Sequence, residues 1–160
     1  MFFKKKKKKE EEEVEVTEVV KLQPLNYPTK ILIGWAEAIG GNTDLRDWFL
    51  SSKEYKELGM VIHALLLKDD AREWLMKNGY AHLMAMINGA EGNADAVHWL
   101  HKANFQVLKH VALAGDQDVA SSNWLIKNGH QEFAMIAERI RVLKDQIEET
   151  HNDIHNFGKD

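Results

Sequence analysis

Hydrophobic and polar positions recur along this chain with a period of about 25 residues. Four tryptophans mark the period, Trp48, Trp74, Trp99 and Trp124, at intervals of 26, 25 and 25 residues. Each tryptophan follows a polar residue and precedes Phe or Leu, so each indole stands at the edge of an apolar helix face. A repeat of this length is typical of stacked copies of one small structural unit.

Each repeat predicts two short helices. The first helix ends at Asn78-Gly79, Ala103-Asn104 or Asn128-Gly129, where Asn or Gly accepts the left-handed conformation that terminates a helix. The second helix carries apolar residues at helical spacing, and a polar turn such as Gly92–Asp95 then caps the next repeat. Because a unit of this size cannot bury its apolar face alone, we expect the units to stack.

The pattern therefore predicts an all-α fold, a right-handed or ankyrin-like α-solenoid of about four helix-turn-helix repeats with a long C-terminal helix. Residues 29–160 form this repeat domain, with a capping half repeat at 29–41 and the extended helix at 130–157. In the extended helix, apolar positions alternate at gaps of three and four residues, as in a heptad. The seam positions are Ile140, Leu143, Ile147, Thr150, Ile154 and Phe157, of which Thr150 is polar. The helix either folds back on the last repeat or pairs with a second copy.

One segment, Gly92–Asn104, resembles the second helix of an ankyrin repeat. It has a glycine, a polar cap, an acidic residue, an apolar pair and a Trp-Leu pair before Asn104, and Gly115–Gly129 is similar. Ankyrin units are longer and include a β-hairpin finger, for which Gly79 followed at once by Tyr80 leaves no residues. The resemblance spans residues 41–140 and implies helix-pair stacking, but not the finger's binding surface.

The first residues form a charge block. Residues 1–13 hold six Lys and four Glu, a net charge of +2, so the remainder of a chain of charge −4 carries −6. We predict that residues 1–28 are a disordered charged tail. An alternative is that the lysines tether the chain to an anionic surface, either a membrane or nucleic acid, although the following glutamates weaken that attraction. The lysines are Lys4, Lys5, Lys6, Lys7, Lys8 and Lys9.

Catalytic and metal-binding patterns are weak. Without cysteine there is no disulfide and no thiolate site. His98 and His101 lie three residues apart, but the counterparts of His98 in the other repeats are polar and those of His101 apolar, so we expect His98 to face water and His101 to pack. We predict no catalytic, cofactor or metal site; the remaining enzyme alternative is a metal-dependent one using these histidines or His151 with His155.

The leading expectation is a non-enzymatic protein–protein interaction scaffold or assembly component. Its partner is another protein, or a second copy bound through the C-terminal helix, and the interaction candidates are the six lysines, His98, Ile147 and Ile154. The tryptophans are expected to pack between repeats, with a partly exposed row of indoles as the alternative. No apolar run is long enough to span a membrane and no secretory signal is expected. A cytoplasmic location is the default expectation and is not deduced from these features.

Overall fold

A computed structural model describes the backbone of residues 20–156 and the side chains of residues 20–152. This part of the chain contains helices and no strands. The helices are α1 (Thr29–Ile39), α2 (Thr43–Ser51), α3 (Lys56–Leu65), α4 (Asp69–Lys77), α5 (Ala81–Ala90), α6 (Ala94–Lys102), α7 (Gln106–Gly115), α8 (Val119–Lys127) and α9 (Gln131–Asn156).

The helices form the repeating pairs that the tryptophan period predicts. The outer helices α2, α4, α6 and α8 have nine residues each, and the inner helices α3, α5 and α7 have ten. In every outer helix the tryptophan is the sixth residue, and the residue after it is buried at the core. These core residues are Phe49, Leu75, Leu100 and Leu125. The predicted all-α, solenoid-like arrangement is confirmed.

The connections between helices are short and follow one plan. Most have three residues, which makes neighbouring helices antiparallel and the inner helices parallel to one another. One residue with positive φ stands in each turn after α1, α3, α5 and α7, and these are Gly41, Leu67, Gly92 and Gln117. The inner helices therefore begin at a common N-terminal rim and end at a common C-terminal rim.

The first inner helix packs against the last. α1 lies along α9 as closely as α5 lies along α7, and Arg139 of α9 reaches Glu37 of α1 at 3.4 Å. On its other side, the buried indole of Trp35 donates a hydrogen bond to the Leu58 carbonyl of α3 at 3.0 Å. The inner helices α1, α3, α5, α7 and α9 thus form a closed ring around one core, and each outer helix packs between two of them.

Residues 20–28, which the charge pattern assigns to the tail, cross the N-terminal rim as an extended segment that we name the strap. The Gln23 amide donates to the Gly79 carbonyl at 2.9 Å, and the Tyr27 hydroxyl donates to Glu57 at 2.8 Å. Leu25 and Tyr27 pack against the core. The strap is ordered because it buries apolar side chains and pairs polar groups, whereas residues 1–19 lie outside the described part.

The C-terminal rim concentrates the carbonyl ends of parallel helices. Helix C-termini carry partial negative charge, and each is met here by a cation. Arg46 donates to the Ala38 and Ile39 carbonyls of α1 at 2.7 and 3.1 Å, and Arg72 donates to the Ala64 carbonyl of α3 at 2.9 Å.

Lys144 of α9 donates hydrogen bonds to the C-terminal ends of two helices. Its ammonium donates to the Ala90 carbonyl at the end of α5, to the Gly115 carbonyl at the end of α7 at 3.1 Å, and to the Asp116 carboxylate at 3.3 Å. α9 continues past this point, so Ile140 and Leu143 are buried, Ile147 packs against the core and Thr150 is exposed. The first half of the heptad seam is therefore occupied within the chain. None of the described helices combines the length and hydropathy needed to cross a bilayer.

Replacing this shared cation should weaken the ring. We expect Lys144→Met to lower the free energy of unfolding by about 2 kcal/mol, because two helix ends lose a charge-assisted hydrogen bond. Lys127→Met is the control, since it removes an exposed lysine and should change stability by less than about 0.5 kcal/mol. Urea unfolding followed by circular dichroism measures both, and equal stabilities would contradict the role given to Lys144.

Candidate functional site at the N-terminal rim

The four repeat tryptophans line the N-terminal rim, where each stacks on the ring that precedes the next inner helix. The pairs are Trp48 with Tyr55, Trp74 with Tyr80, Trp99 with Phe105 and Trp124 with His130, at ring-centroid distances of 6.3, 5.8, 5.9 and 6.0 Å. The interplanar angles of 9 to 29° make all four pairs stacked. We name the four tryptophans the indole row.

The indole row is exposed in alternate repeats. Trp48 and Trp99 are 48% and 40% exposed, whereas Trp74 and Trp124 are partly buried against the core. The expectation that the tryptophans pack between repeats therefore holds for two of them, and the other two present half of their surface to solvent. Exposed aromatic residues of this size are typical anchors of binding surfaces.

The position two residues after each tryptophan adds further apolar surface. Met76 and Ile126 occupy it in α4 and α8 and are 50% and 51% exposed. In α6 the same position holds His101, which is exposed, so the prediction that His101 packs was wrong. The reason is helical geometry. In each outer helix the residue after the tryptophan points into the core, so the side chain of the following residue is turned away from the core.

Basic side chains accompany this apolar surface. Lys77, Lys102 and Lys127 occupy the last turn of α4, α6 and α8, three residues after each tryptophan, and all are exposed. The ammonium of Lys56 lies 5.6 Å from the centroid of Trp74. The rim thus combines indole, apolar and lysine side chains, with His101 at the apolar position of α6 and Ser51 at the lysine position of α2.

The interaction candidates predicted from sequence are not brought together. His98 is exposed on α6 beside Trp99, whereas Ile147 packs on the far side of the ring, near the C-terminal rim. Ile154 lies in α9, but its side chain is outside the described part, as are Lys4–Lys9. Their roles stay predictions.

Of the histidines predicted for the metal-dependent alternative, His101 has another partner. His101 accepts a hydrogen bond from Lys109 at 3.2 Å, and a cation at that distance opposes metal binding. Among residues 20–152, no three His, Asp or Glu side chains are grouped closely enough to hold a metal ion. The His155 side chain lies outside this range.

A cavity of about 340 Å³ lies under the strap at the same rim. The strap forms one wall through Pro24, Leu25 and Tyr27. The ring forms the other walls, and its lining residues are Trp35, His82, Leu83, Phe105, Val107, Leu108 and Phe133. Sequence reasoning did not foresee this cavity, because the contact between residues 23 and 82 has no local signal.

No family profile, curated protein or solved structure matches the chain.

His82 is the one described side chain with a buried nitrogen that lacks a hydrogen-bond partner. The residue is 1% exposed, and its Nε2 lies 2.8 Å from the Gln23 carbonyl, which can only accept, so Nε2 carries the proton. Nδ1 is then an acceptor without a donor. Burial lowers the pKa of His82, an effect that the nearby carbonyls of Gln23 and Tyr80 oppose.

A second cluster of polar side chains, which the spacing of residues in the sequence did not reveal, links α7 to α8. The Ser121 hydroxyl donates to Asp118 at 2.7 Å, and His110 Nδ1 lies 3.1 Å from the same hydroxyl oxygen. Because the hydroxyl proton points to Asp118, the His110 imidazole does not activate Ser121 as a base would activate a nucleophile. His110 also stacks on Trp124 at 4.0 Å, so the trio positions the last indole.

The strap should depend on Gly79, which has φ +90° and whose added Cβ would lie 2.6 Å from the Lys21 carbonyl. We expect Gly79→Ala to open the strap and to speed hydrogen exchange at the Gln23 amide by about tenfold. Gly129→Ala is a matched control, because Gly129 has φ +80° after the same Asn but nothing within 4 Å of an added Cβ. Equal exchange at Gln23 in the two variants would refute this account.

Burial of neutral His82 should also make stability depend on pH. In the unfolded chain the imidazole takes up a proton below about pH 6.5, whereas the depressed pKa of the folded state delays uptake, so stability falls as the pH drops from 7 to 5. We expect His82→Phe to reduce this slope, by up to about 1.4 kcal/mol per pH unit. His98→Gln, a change at an exposed imidazole, serves as the comparison. A slope unchanged by His82→Phe would show that the site does not titrate in this way.

Proposed function

We propose that the chain is a non-enzymatic interaction module that binds an acidic segment of another protein along the N-terminal rim. The observation that carries this proposal is that each outer helix exposes one large apolar side chain near its C-terminal end: the tryptophan in α2 and α6, and the residue two positions after the tryptophan in α4 and α8. Trp48, Met76, Trp99 and Ile126 are each 40 to 51% exposed. Scattered exposed apolar residues need no explanation, but their recurrence near the same end of all four outer helices favours a binding surface.

The charge beside these residues selects the partner. Lys77 and Lys127 directly follow the exposed Met76 and Ile126, and Lys102 follows His101, three residues after the exposed Trp99. A lysine in the last turn of a helix also complements the helix dipole, which accounts for the lysines but not for the exposed side chains next to them. A partner with carboxylates flanking apolar anchors satisfies both features of the rim.

A protein segment fits better than nucleic acid. One face of each indole is already covered by its stacking partner, which leaves less of it for a base. The chain as a whole carries a net charge of −4, and the lysines of the rim lie among acidic residues such as Glu73, which pairs with Lys77 at 3.7 Å. Such a surface attracts a short acidic segment locally but not a long polyanion.

The ankyrin-like character of the helix pairs is part of the same proposal. In a stack of such helix pairs, the core residues stay similar from repeat to repeat, whereas the outer residues vary and can form a binding surface. Self-association through the second half of α9 and tethering through Lys4–Lys9 are not needed for binding at the rim.

Two designed peptides test the proposal. They share their leucine and phenylalanine positions but carry glutamate in one peptide and lysine in the other, and a single-stranded oligothymidylate is the third probe. We expect fluorescence anisotropy to show binding of the acidic peptide that weakens with salt, and Trp99→Ala to weaken it by about tenfold. Val119→Ala is the control, because Val119 is 71% exposed at the opposite rim.

Three results of this binding experiment would contradict the proposal. Equal binding of the two peptides, stronger binding of the oligonucleotide, or equal affinities of Trp99→Ala and Val119→Ala would overturn the proposal. Proteins captured by the full chain from the source cells then undergo the same comparison, and only those lost with Trp99→Ala but kept with Val119→Ala qualify as partners of the rim.

A further inference from the structure

The first helix pair has an open groove beside Trp48. The groove lies between the start of α1 and the end of α2, at the N-terminal rim, and has a volume of about 230 Å³. Since an apolar cavity of about 150 Å³ holds benzene, the groove has room for one aromatic ring. Its lining residues are Lys30, Ile31, Gly34, Leu45, Trp48 and Phe49.

The groove is open because one position of the inner helix differs in size between the pairs. Each inner helix packs against the outer helix that follows it, and the turn between them always has three residues. The residues fourteen positions before the four tryptophans therefore occupy equivalent places, and they are Gly34, Met60, Ala85 and His110. The two small residues belong to the pairs of the exposed Trp48 and Trp99, and the two large ones to the pairs whose tryptophan is partly buried. The alternate exposure of the indole row follows the size of this residue.

The last helix pair shows the same position filled by a ring. His110 stacks on Trp124, with ring centroids 4.0 Å apart and an interplanar angle of 19°. In the first pair Gly34 has no side chain to place there, and Trp48 is half-exposed. The nearest atom to a Cβ added at Gly34 is a ring carbon of Phe49 at 3.8 Å, an ordinary contact distance, so the space is not taken by a neighbour. A planar side chain of a binding partner can therefore occupy at Trp48 the place that the imidazole has at Trp124.

The charge at the groove is positive. Lys30 is exposed and is the one charged side chain among the lining residues. The first turn of α1 contains no acidic residue, so the partial positive charge of this helix N-terminus adds to that of the lysine. A carboxylate beside the bound ring is attracted here, whereas a cation is repelled.

We propose that the groove beside Trp48 binds an aromatic side chain that is directly followed by a carboxylate residue in the partner segment. The ring stacks on Trp48 over Gly34, and the carboxylate pairs with Lys30. This inference rests on the proposed function, because it specifies which two residues of the acidic segment are held at the first helix pair.

Three capped dipeptides test the groove on the full chain. Acetyl-Phe-Glu-amide has both groups, acetyl-Leu-Glu-amide replaces the ring by an aliphatic side chain, and acetyl-Phe-Lys-amide reverses the charge. We expect acetyl-Phe-Glu-amide to shift the indole N–H signal of Trp48 in proton–nitrogen spectra, where Trp48→Phe identifies that signal by its loss. Titrations should show the other two dipeptides to bind about fivefold more weakly.

A matched pair of variants locates the binding. Gly34→His gives the first pair the side chain that the last pair has, and it should fill the groove and weaken binding of acetyl-Phe-Glu-amide by about tenfold. Ile33→His places the same side chain at the preceding residue of α1, which is 44% exposed and does not line the groove, and it should leave binding within about twofold. The comparison of the three dipeptides on the unchanged chain stands even if a variant fails to fold.

The inference is overturned if acetyl-Phe-Glu-amide leaves the Trp48 signal in place, if either control dipeptide binds as well, or if Gly34→His and Ile33→His bind equally. A Trp48 signal that moves on dilution of the free protein would also overturn it, because a second copy would then fill the groove. Failure of the proposed function is a separate result, since it appears as equal binding of the two long peptides and not in the response of Trp48 to a dipeptide.

Discussion

Packing of α1 against α9 is the contact on which the rest of the structure depends. A stack of four helix pairs left open would expose the apolar faces of its first and last inner helices. Here these two faces cover each other, so that Ile39, Ala137 and Ile140 belong to one core with the central helices. Closure turns a chain of similar units into a ring with two different rims.

The two rims differ because all inner helices run in one direction. Their carbonyl ends meet at the C-terminal rim, where Arg46, Arg72 and Lys144 are drawn in as hydrogen-bond donors. The opposite rim collects helix N-termini, where aromatic residues rather than side-chain caps stand before α3, α5 and α7. The exposed tryptophans therefore lie at the rim opposite the one where Arg46, Arg72 and Lys144 hydrogen-bond the carbonyl ends of the inner helices.

The sequence predicts the helices well because their signals are local. The tryptophan period, the Asn-Gly stops and the buried residue after each tryptophan together place α2 to α8. Closure could not be read in the same way, since α1 and α9 lie about a hundred residues apart and each has an ordinary amphipathic pattern. The misassigned position of His101 has a similar origin, because an apolar residue at a helix end looks like core in sequence whether it faces the core or a partner.

The order of the strap could not be predicted, because the residues that precede it in the sequence form a charge block. Its first residues follow a charge block, yet it is held by two polar side chains, Glu57 and His82, that are each the second residue of an inner helix. The equivalent position in α7 is Val107, which lines the cavity. The available signal for the strap was thus a polar residue at the same, buried position of two adjacent repeats. This signal can be interpreted only once the strap is seen to provide the hydrogen-bond partners of both residues.

The aromatic residues join the strap, the cavity and the rim into one layer. His82 lies 6.2 Å from Tyr80 and 5.2 Å from Phe105, and these two rings are the ones on which Trp74 and Trp99 stack. Any change that moves the His82 ring, such as loss of its hydrogen bond to Gln23, acts on rings that support the indole row. Packed rings transmit such shifts because the interior leaves little free volume to absorb them. The position of the strap and the shape of the rim are for this reason expected to be coupled through Tyr80 and Phe105.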